Sequence, residues 1–217
     1  MTKGGDPVGR AALVLSLRSL GITDHRVLNA FEQTPRSIFA PTSYAADAEA
    51  DRLIPIACGQ TMEAPSVLAR LLKAVPVNEG MSVLEIGTGS GYFTALLSQL
   101  AKRVISLERF RTLSHSATQT LDAMGARDVE CVFGDGLAGW PSSTPYDAIF
   151  VTGSVGTVSQ VWLDQLTDQG RLVAPIGPPD TQQQWTVASR SGVDEIASRA
   201  LGTTFSAQLV AGVARAL

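Results

Sequence analysis

Residues 83–92 read Val-Leu-Glu-Ile-Gly-Thr-Gly-Ser-Gly-Tyr. Gly87, Gly89 and Gly91 alternate directly after a short apolar run and directly before an amphipathic segment. A strand that turns sharply into a helix needs residues without Cβ there, to reach positive φ and to let a ligand approach the backbone. The first helical N–H groups then point at that ligand. The stretch predicts a strand, a glycine bend and a helix that together hold a nucleotide-like group.

Two details narrow the ligand. The spacing is G-x-G-x-G behind the acid Glu85, not the G-x-G-x-x-G of dinucleotide sites. A pyrophosphate needs an uncluttered positive helix N-terminus, whereas a carboxylate at the strand end suits a cationic or amine-bearing ligand. S-adenosylmethionine has a sulfonium and an ammonium and no phosphate. Glu108 ends the next apolar run, 104–107, about 20 residues on, where a carboxylate can accept both ribose hydroxyls. Gly134-Asp135-Gly136 follows the strand-like residues 129–133 and offers a place for an adenine edge. Order and spacing point to S-adenosylmethionine, bound by Glu85, Gly87, Thr88, Gly89, Gly91, Glu108, Asp135 and Gly136. A nicotinamide dinucleotide and a purely structural glycine turn are the alternatives.

The 217 residues are 45% hydrophobic and 17% charged, which predicts one soluble globular domain. Residues 1–64 form an N-terminal helical and loop extension, and residues 65–217 form the cofactor-binding core. Net charge is −3 without a basic block, so neither nucleic acid nor an anionic membrane is the expected partner. The first residues lack the basic-then-apolar layout of a secretion signal. The early apolar run 11–17 is stopped by Arg18 and is too short to span a bilayer. Cys58 and Cys131 are isolated thiols without metal-ligand spacing, which predicts no metal site and a reducing, cytoplasmic compartment. Monomer and homodimer are both compatible with the chain.

Helical periodicity covers about 8–20 and 24–33, with Gly21 as a stop and Thr23 as the candidate N-cap. Residues 37–50 have no period and predict a loop with short turns; 53–58 predict a short extended piece. Pro65 suits a first helical position, and Val67, Leu68, Leu71, Leu72 and Val75 recur on one helical face. From Met81 the pattern alternates: strand 82–86, helix 91–101, strand 103–108, helix 111–124, strands 129–133 and 147–152, helix 159–167, strand 171–176. Gly125 and Gly170 stand where helix C-termini would need them. Residues 185–189 and 195–205 predict strands joined as a hairpin through Ser191-Gly192. The fold class is α/β: a doubly wound, mainly parallel Rossmann-like sheet with helices on both faces and an N-terminal helical extension.

With these motifs in order, the chain resembles the protein-L-isoaspartate O-methyltransferase family. The resemblance runs through residues 35–41 (PRSIFAP), 53–56 (LIPI), Gly59-Gln60-Thr61, the glycine bend, Gly134-Asp135-Gly136, Gly139-Trp140-Pro141 and residues 146–149 (YDAI). The bend is shared by many methyltransferases; the Gly59–Thr61 stretch and Trp140-Pro141 are more specific. The resemblance implies methyl transfer from S-adenosylmethionine to the free carboxylate of isoaspartyl residues in aged proteins. The ester then collapses to a succinimide, which allows reversion to aspartate. It also implies that the loop from Gly59 to Glu63 covers the reacting centre, with Gln60, Thr61 and Glu63 on the catalytic side. The chemistry asks little of the protein, because a carboxylate with a pKa of about 4 is already a nucleophile at neutral pH. Positioning and exclusion of water suffice.

Four departures fall on the acceptor side. The family serine after Gly-Gln-Thr-Ile is replaced by Glu63, following Met62. Ser66 stands where a larger residue is usual, residues 152–156 (TGSVG) replace an Ala-rich stretch, and the C-terminus lacks the usual Val-Pro-Leu. An ionised Glu63 cannot donate a hydrogen bond to a substrate carboxylate. Glu63 is therefore protonated, turned away toward the helix that begins at Pro65, or opposite a different acceptor. Two further functions stay open on the same scaffold: a methyltransferase using Glu63 as general base on another acceptor, and a cofactor-binding protein without turnover. Arg36 is a candidate partner for a substrate carboxylate or a helix-end ion pair. His25, His115, Cys58 and the tryptophans read as structural.

Overall fold

The computed structural model describes residues 6–192 and 195–214. α1 (Pro7–Ser19) starts behind Asp6, whose side chain accepts from the Val8 N–H, with proline at its first position. α2 (His25–Gln33) is capped by Asp24, not Thr23: the carboxylate accepts from the Arg26 N–H at 2.8 Å. Asp is the stronger cap of the two. Residues 36–38 and 42–47 are short 3-10 turns. β1 (Ile54–Pro55) and β2 (Thr61–Met62) make a small antiparallel ribbon. Cys58 and Gly59 in its bend have φ of 60° and 66°. α3 (Pro65–Ala74) begins at Pro65 and buries Leu68, Leu71 and Leu72, as the helical spacing requires.

The core then alternates as β3 (Ser82–Ile86), α4 (Tyr92–Ser98), β4 (Arg103–Glu108), α5 (Arg111–Met124), β5 (Val129–Phe133), β6 (Tyr146–Val151), α6 (Gln160–Leu163), β7 (Leu166–Ile176), β8 (Gln183–Arg190) and β9 (Ile196–Thr204). The seven strands lie in the order β5-β4-β3-β6-β7-β8-β9. Neighbours from β5 to β7 are parallel, and β8 and β9 are added antiparallel. Successive residues serve opposite faces. Val83, Val104, Ala148 and Phe150 pack with α1 to α5, while Leu84, Ile105, Ile149 and Val151 pack with Trp162 and Leu163 of α6. The N-terminal helices thus share a core with the sheet, through Leu17 and Phe31.

The expected helix over 159–167 is a single turn, and Gly170 lies inside β7 rather than at a helix end. Trp162, Leu163 and Leu166 are all buried, a spacing that a helix and a turn entering a strand satisfy equally. The pairing steps from Tyr146–Leu166 to Ala148–Arg171, so the intervening residues loop out of register. A Cβ on Gly170 would stand 2.9 Å from the Leu166 Cβ, which is why that fold-back takes glycine. Gly125 does end α5, at φ 74°. β8 and β9 pair antiparallel, and the Ser191 N–H bonds the Glu195 carbonyl at 2.9 Å; residues 193–194 of that connection lie outside the described residues.

β3 is flanked by β4, which follows it in sequence, and by β6, reached after the chain doubles back. Chain direction across the sheet reverses there, and a crevice opens beyond the carboxyl ends of these strands.

Candidate active site

The bend after β3 is built as its glycines demand. Gly87, Gly89 and Gly91 have φ of 99°, 56° and 86°. Gly87 and Thr88 donate to the Leu107 carbonyl at 2.8 and 3.2 Å, pinning the bend to β4. The Thr152 hydroxyl, just past β6, lies 3.1 and 2.9 Å from the Ile86 and Gly87 carbonyls. A Cβ on Gly87 would run into that hydroxyl. Gly91 serves a different end. It is the N-cap of α4 and does not line the crevice; a Cβ there would meet the Ala117 Cβ at 3.1 Å. The sequence pattern cannot separate these roles, because both need positive φ.

Two acids flank the bend. Glu85 is fully buried; its Oε2 accepts from Thr94 Oγ1 at 2.5 Å and Ser106 Oγ at 2.6 Å. Its Oε1 has no partner among the described residues. Burial pushes the carboxyl up to about 7, with Glu108 adding to the rise against the two hydroxyl bonds. A buried carboxylate oxygen without a donor is costly, and a cationic group at that point would relieve it. Glu108 ends β4 and accepts from Gly89 N through Oε2 at 2.8 Å and from Phe110 N through Oε1 at 2.9 Å. Burial raises its pKa too, opposed by those amides. Each of its oxygens retains a lone pair for a hydroxyl.

Asp135 follows β5. Its Oδ1 caps the turn 136–138 through Leu137 N at 2.9 Å, and its Oδ2 accepts from Gly212 N at 2.6 Å. Gly136 lies so close to Ile86 that a side chain would collide with it, and its carbonyl accepts from Trp162 Nε1 at 2.9 Å. Trp140 is a packing residue: its N–H meets Gln165 Oε1 and its carbonyl accepts from Tyr146.

The opposite wall is the ribbon β1–β2. Gln60 Nε2 closes its bend onto the Cys58 carbonyl at 3.1 Å, and Thr61 is exposed at the crevice. Glu63 also lines the crevice, with Oε1 accepting from Ala64 N at 2.8 Å. Burial pushes its carboxyl up from the usual range, against the Ala64 amide and Arg36. Arg36 makes no helix-end ion pair among the described residues. It is fully buried and donates to the carbonyls of Ala48, Ala50, Arg52 and Glu63 at 2.7–3.0 Å, and of Met62 at 3.5 Å. It braces the loop 48–52 against β2.

The crevice therefore brings together Gln60, Thr61, Glu63, Glu85, Gly87, Thr88, Gly89, Glu108, Asp135 and Gly136, every expected site residue except Gly91. It also has a wall formed by residues 206–210, within the C-terminal stretch whose departure from the family falls on the acceptor side. This strap is tied by main chain to Ser154: Ser154 N donates to the Ala207 carbonyl at 2.8 Å and Leu209 N to the Ser154 carbonyl at 2.9 Å. Two side-chain bonds add to these, Ser154 Oγ donating to the Ser206 carbonyl at 3.2 Å and Ser206 N to Gln183 Oε1 at 2.9 Å; Gly153 admits the close approach, since a Cβ there would stand 2.5 Å from Leu209 Cδ2.

With this geometry in hand, comparison with known proteins decides the family. The profile of the family described as Protein-L-isoaspartate(D-aspartate) O-methyltransferase matches residues 9–212. The chain belongs to that family. It is 43% identical over 205 residues to a protein-L-isoaspartate O-methyltransferase of Maricaulis maris (strain MCS10), covering 94% of this chain and 95% of the relative. The relative from Azorhizobium caulinodans is 43% identical over 208 residues, with 96% and 95% covered. Among solved structures, a protein-L-isoaspartate O-methyltransferase superposes with a TM-score of 0.82 at 28% identity, over 94% of this chain and 67% of that one. A Plasmodium falciparum structure, titled as a putative enzyme of the same kind in complex with S-adenosyl-L-homocysteine, shares the fold with a TM-score of 0.78 at 21% identity, over 92% and 97%. The chain thus has the α/β methyltransferase fold of its family.

Proposed function

We propose that this chain transfers a methyl group from S-adenosylmethionine to the carboxylate of L-isoaspartyl residues in damaged proteins or peptides. The carrying observation is the buried Oε1 of Glu85, without a partner among the described residues, beside a glycine bend whose other edge is Glu108, in a member of this family. The fit is chemical. Glu85 meets the positive charge of the methionine portion, Gly87, Thr88 and Gly89 leave room at the backbone, and Glu108 takes the ribose hydroxyls. Asp135 and Gly136 border the adenine. Gly91 supports the bend from behind.

When bound, S-adenosylmethionine supplies an activated methyl group, which the substrate carboxylate oxygen takes as the carbon–sulfur pair leaves on sulfur, giving a methyl ester. No proton has to move, so the chain's own residues bind, orient and exclude water. Gln60, Thr61 and Glu63 form the acceptor wall, and the strap 206–210 closes the crevice from the far side. No helix among the described residues is long and apolar enough to cross a membrane. The free thiols Cys58 and Cys131 support a reducing, cytoplasmic setting. Isoaspartyl proteins are the partners this reading requires.

Incubating the pure protein with an isoaspartyl peptide and methyl-labelled S-adenosylmethionine is the test. A base-labile ester on that peptide, absent from its aspartyl twin, supports the reading; no ester with cofactor bound rejects it. A second reading, methylation of a hydroxyl or amine with Glu63 as base, rests on the raised carboxyl of Glu63 at the acceptor wall. It requires product on a non-carboxylate acceptor and its loss in Glu63→Gln.

A further inference from the structure

The acceptor wall contains an acid where the incoming group is itself an acid. We propose that Glu63 works in its neutral form, as the hydrogen-bond donor that holds the acceptor carboxylate in place. This rests on the isoaspartyl reading above and deepens it.

Glu63 reaches toward the start of α3 and still borders the crevice. Its Oε1 is fixed by the Ala64 N–H at 2.8 Å, at the point where β2 gives way to α3. Its carbonyl is gripped by Arg36 Nη2 at 2.8 Å, and that guanidinium is fully buried, so the main chain here is anchored to the loop 48–52. With Oε1 engaged as an acceptor, the proton of a neutral carboxyl resides on Oε2, leaving an O–H to present to a ligand. A neutral glutamic acid in this pose is both an acceptor for Ala64 and a donor to a carboxylate. An ionised one offers no donor and repels its substrate carboxylate, more strongly in a drier site than in water.

The surrounding charges favour the neutral form. Asp51, whose Oδ1 accepts from Ser66 N at 2.8 Å, stands near Glu63 and pushes in the same direction as burial. Across the crevice stand the acids Glu85, Glu108 and Asp135, and with them the cation Arg109, whose Nε donates to the Gly212 carbonyl at 3.1 Å. Arg36 and the Ala64 amide oppose the shift, but Arg36 directs its donors to carbonyl oxygens. A second carboxylate entering from an isoaspartyl residue raises the cost of ionising Glu63 further.

The experiment is the pH profile of kcat/KM on an isoaspartyl peptide for the wild-type chain, Glu63→Gln and Glu63→Ala. Glutamine retains an acceptor for Ala64 and a permanent N–H donor, so it copies the neutral acid. The wild-type rate is expected to fall about ten-fold per pH unit above the Glu63 titration. E63Q is expected to hold its low-pH rate throughout and to exceed wild type by at least about ten-fold at the alkaline end. E63A, without a donor, is expected to be slow at every pH. The proposal is overturned if E63Q declines in parallel with wild type, if E63Q is inactive where wild type is active, or if E63A equals wild type at low pH. If no variant makes ester at any pH while labelled cofactor binds, the acceptor reading fails, and the role of Glu63 with it.

Discussion

Glu108 accepts the Gly89 N–H through Oε2 at 2.8 Å, so one hydrogen bond ties the tip of β4 to the bend leaving β3. The same carboxylate holds Phe110 N through its other oxygen at 2.9 Å. The edge proposed for the ribose is thereby set before any ligand arrives, which reduces the ordering cost of binding. Glu108→Ala removes two charge-assisted acceptors at once, each of about 1.5–3 kcal/mol. The expected result is more than about ten-fold weaker cofactor binding by calorimetry, together with a lower Tm.

Glu85 makes stability depend on pH in a definite direction. Its carboxyl is pushed from an ordinary 4.5 to about 7, so the folded protein prefers it neutral. The stability that the neutral group contributes is complete below about pH 4.5 and is lost as pH rises through about 7. Glu85→Gln keeps a neutral group throughout. Without cofactor, the variant is expected to match wild type near pH 4.5 and to be more stable by about 3 kcal/mol at pH 8, as measured by urea unfolding. A bound cation favours the ionised form, so cofactor binding below pH 7 is expected to release a proton, seen as buffer-dependent binding heat.

The glycines of the bend separate into two classes that substitution can tell apart. Gly91→Ala meets positive φ and the Ala117 Cβ at 3.1 Å, away from the crevice. Its cost of about 1–3 kcal/mol is expected in stability, with cofactor affinity retained in the folded protein. Gly87→Ala drives a methyl into the Thr152 hydroxyl that holds the bend. That variant is expected to lose affinity as well as stability, by calorimetry and thermal melting on the same samples.

The strap 206–210 offers a test that leaves the acids untouched. A Cβ at residue 153 would stand 2.5 Å from Leu209 Cδ2 and 3.2 Å from the Ala207 carbonyl. Gly153→Ala is therefore expected to lift the strap. Faster cofactor release in stopped-flow and faster proteolysis near residue 207 are the expected signs, with Tm nearly unchanged.

β3 and β4 were legible because they are buried on both faces and bounded by charges or glycines, and β5, half-buried at the sheet edge, through its apolar run alone. β3, β4 and β5 run from Ser82, Arg103 and Val129 as the apolar runs require, and α5 runs to Gly125 as its cap predicts. The site acids were legible through their positions at strand ends. What escaped the sequence has a common physical origin. The strap is held by main-chain bonds to Ser154, which any side chains allow, and by side-chain bonds from Ser154 and Gln183 to Ser206 that join residues far apart in the chain. Trp162, Leu163 and Leu166 fit helix and strand alike, so the entry into β7 was misread. The role of Arg36 depends on five carbonyls spread over residues 48–63, and no local pattern encodes such a brace.

The central claim is that Glu85 and Glu108, on either side of a bare glycine bend, make a site for a positively charged adenosyl ligand. Calorimetric titration of the pure protein with S-adenosylmethionine, repeated with NAD as competitor, tests it most directly. The account predicts saturable binding of one equivalent that NAD does not displace and that Glu85→Gln weakens. Absence of binding, or displacement by the dinucleotide, would contradict it.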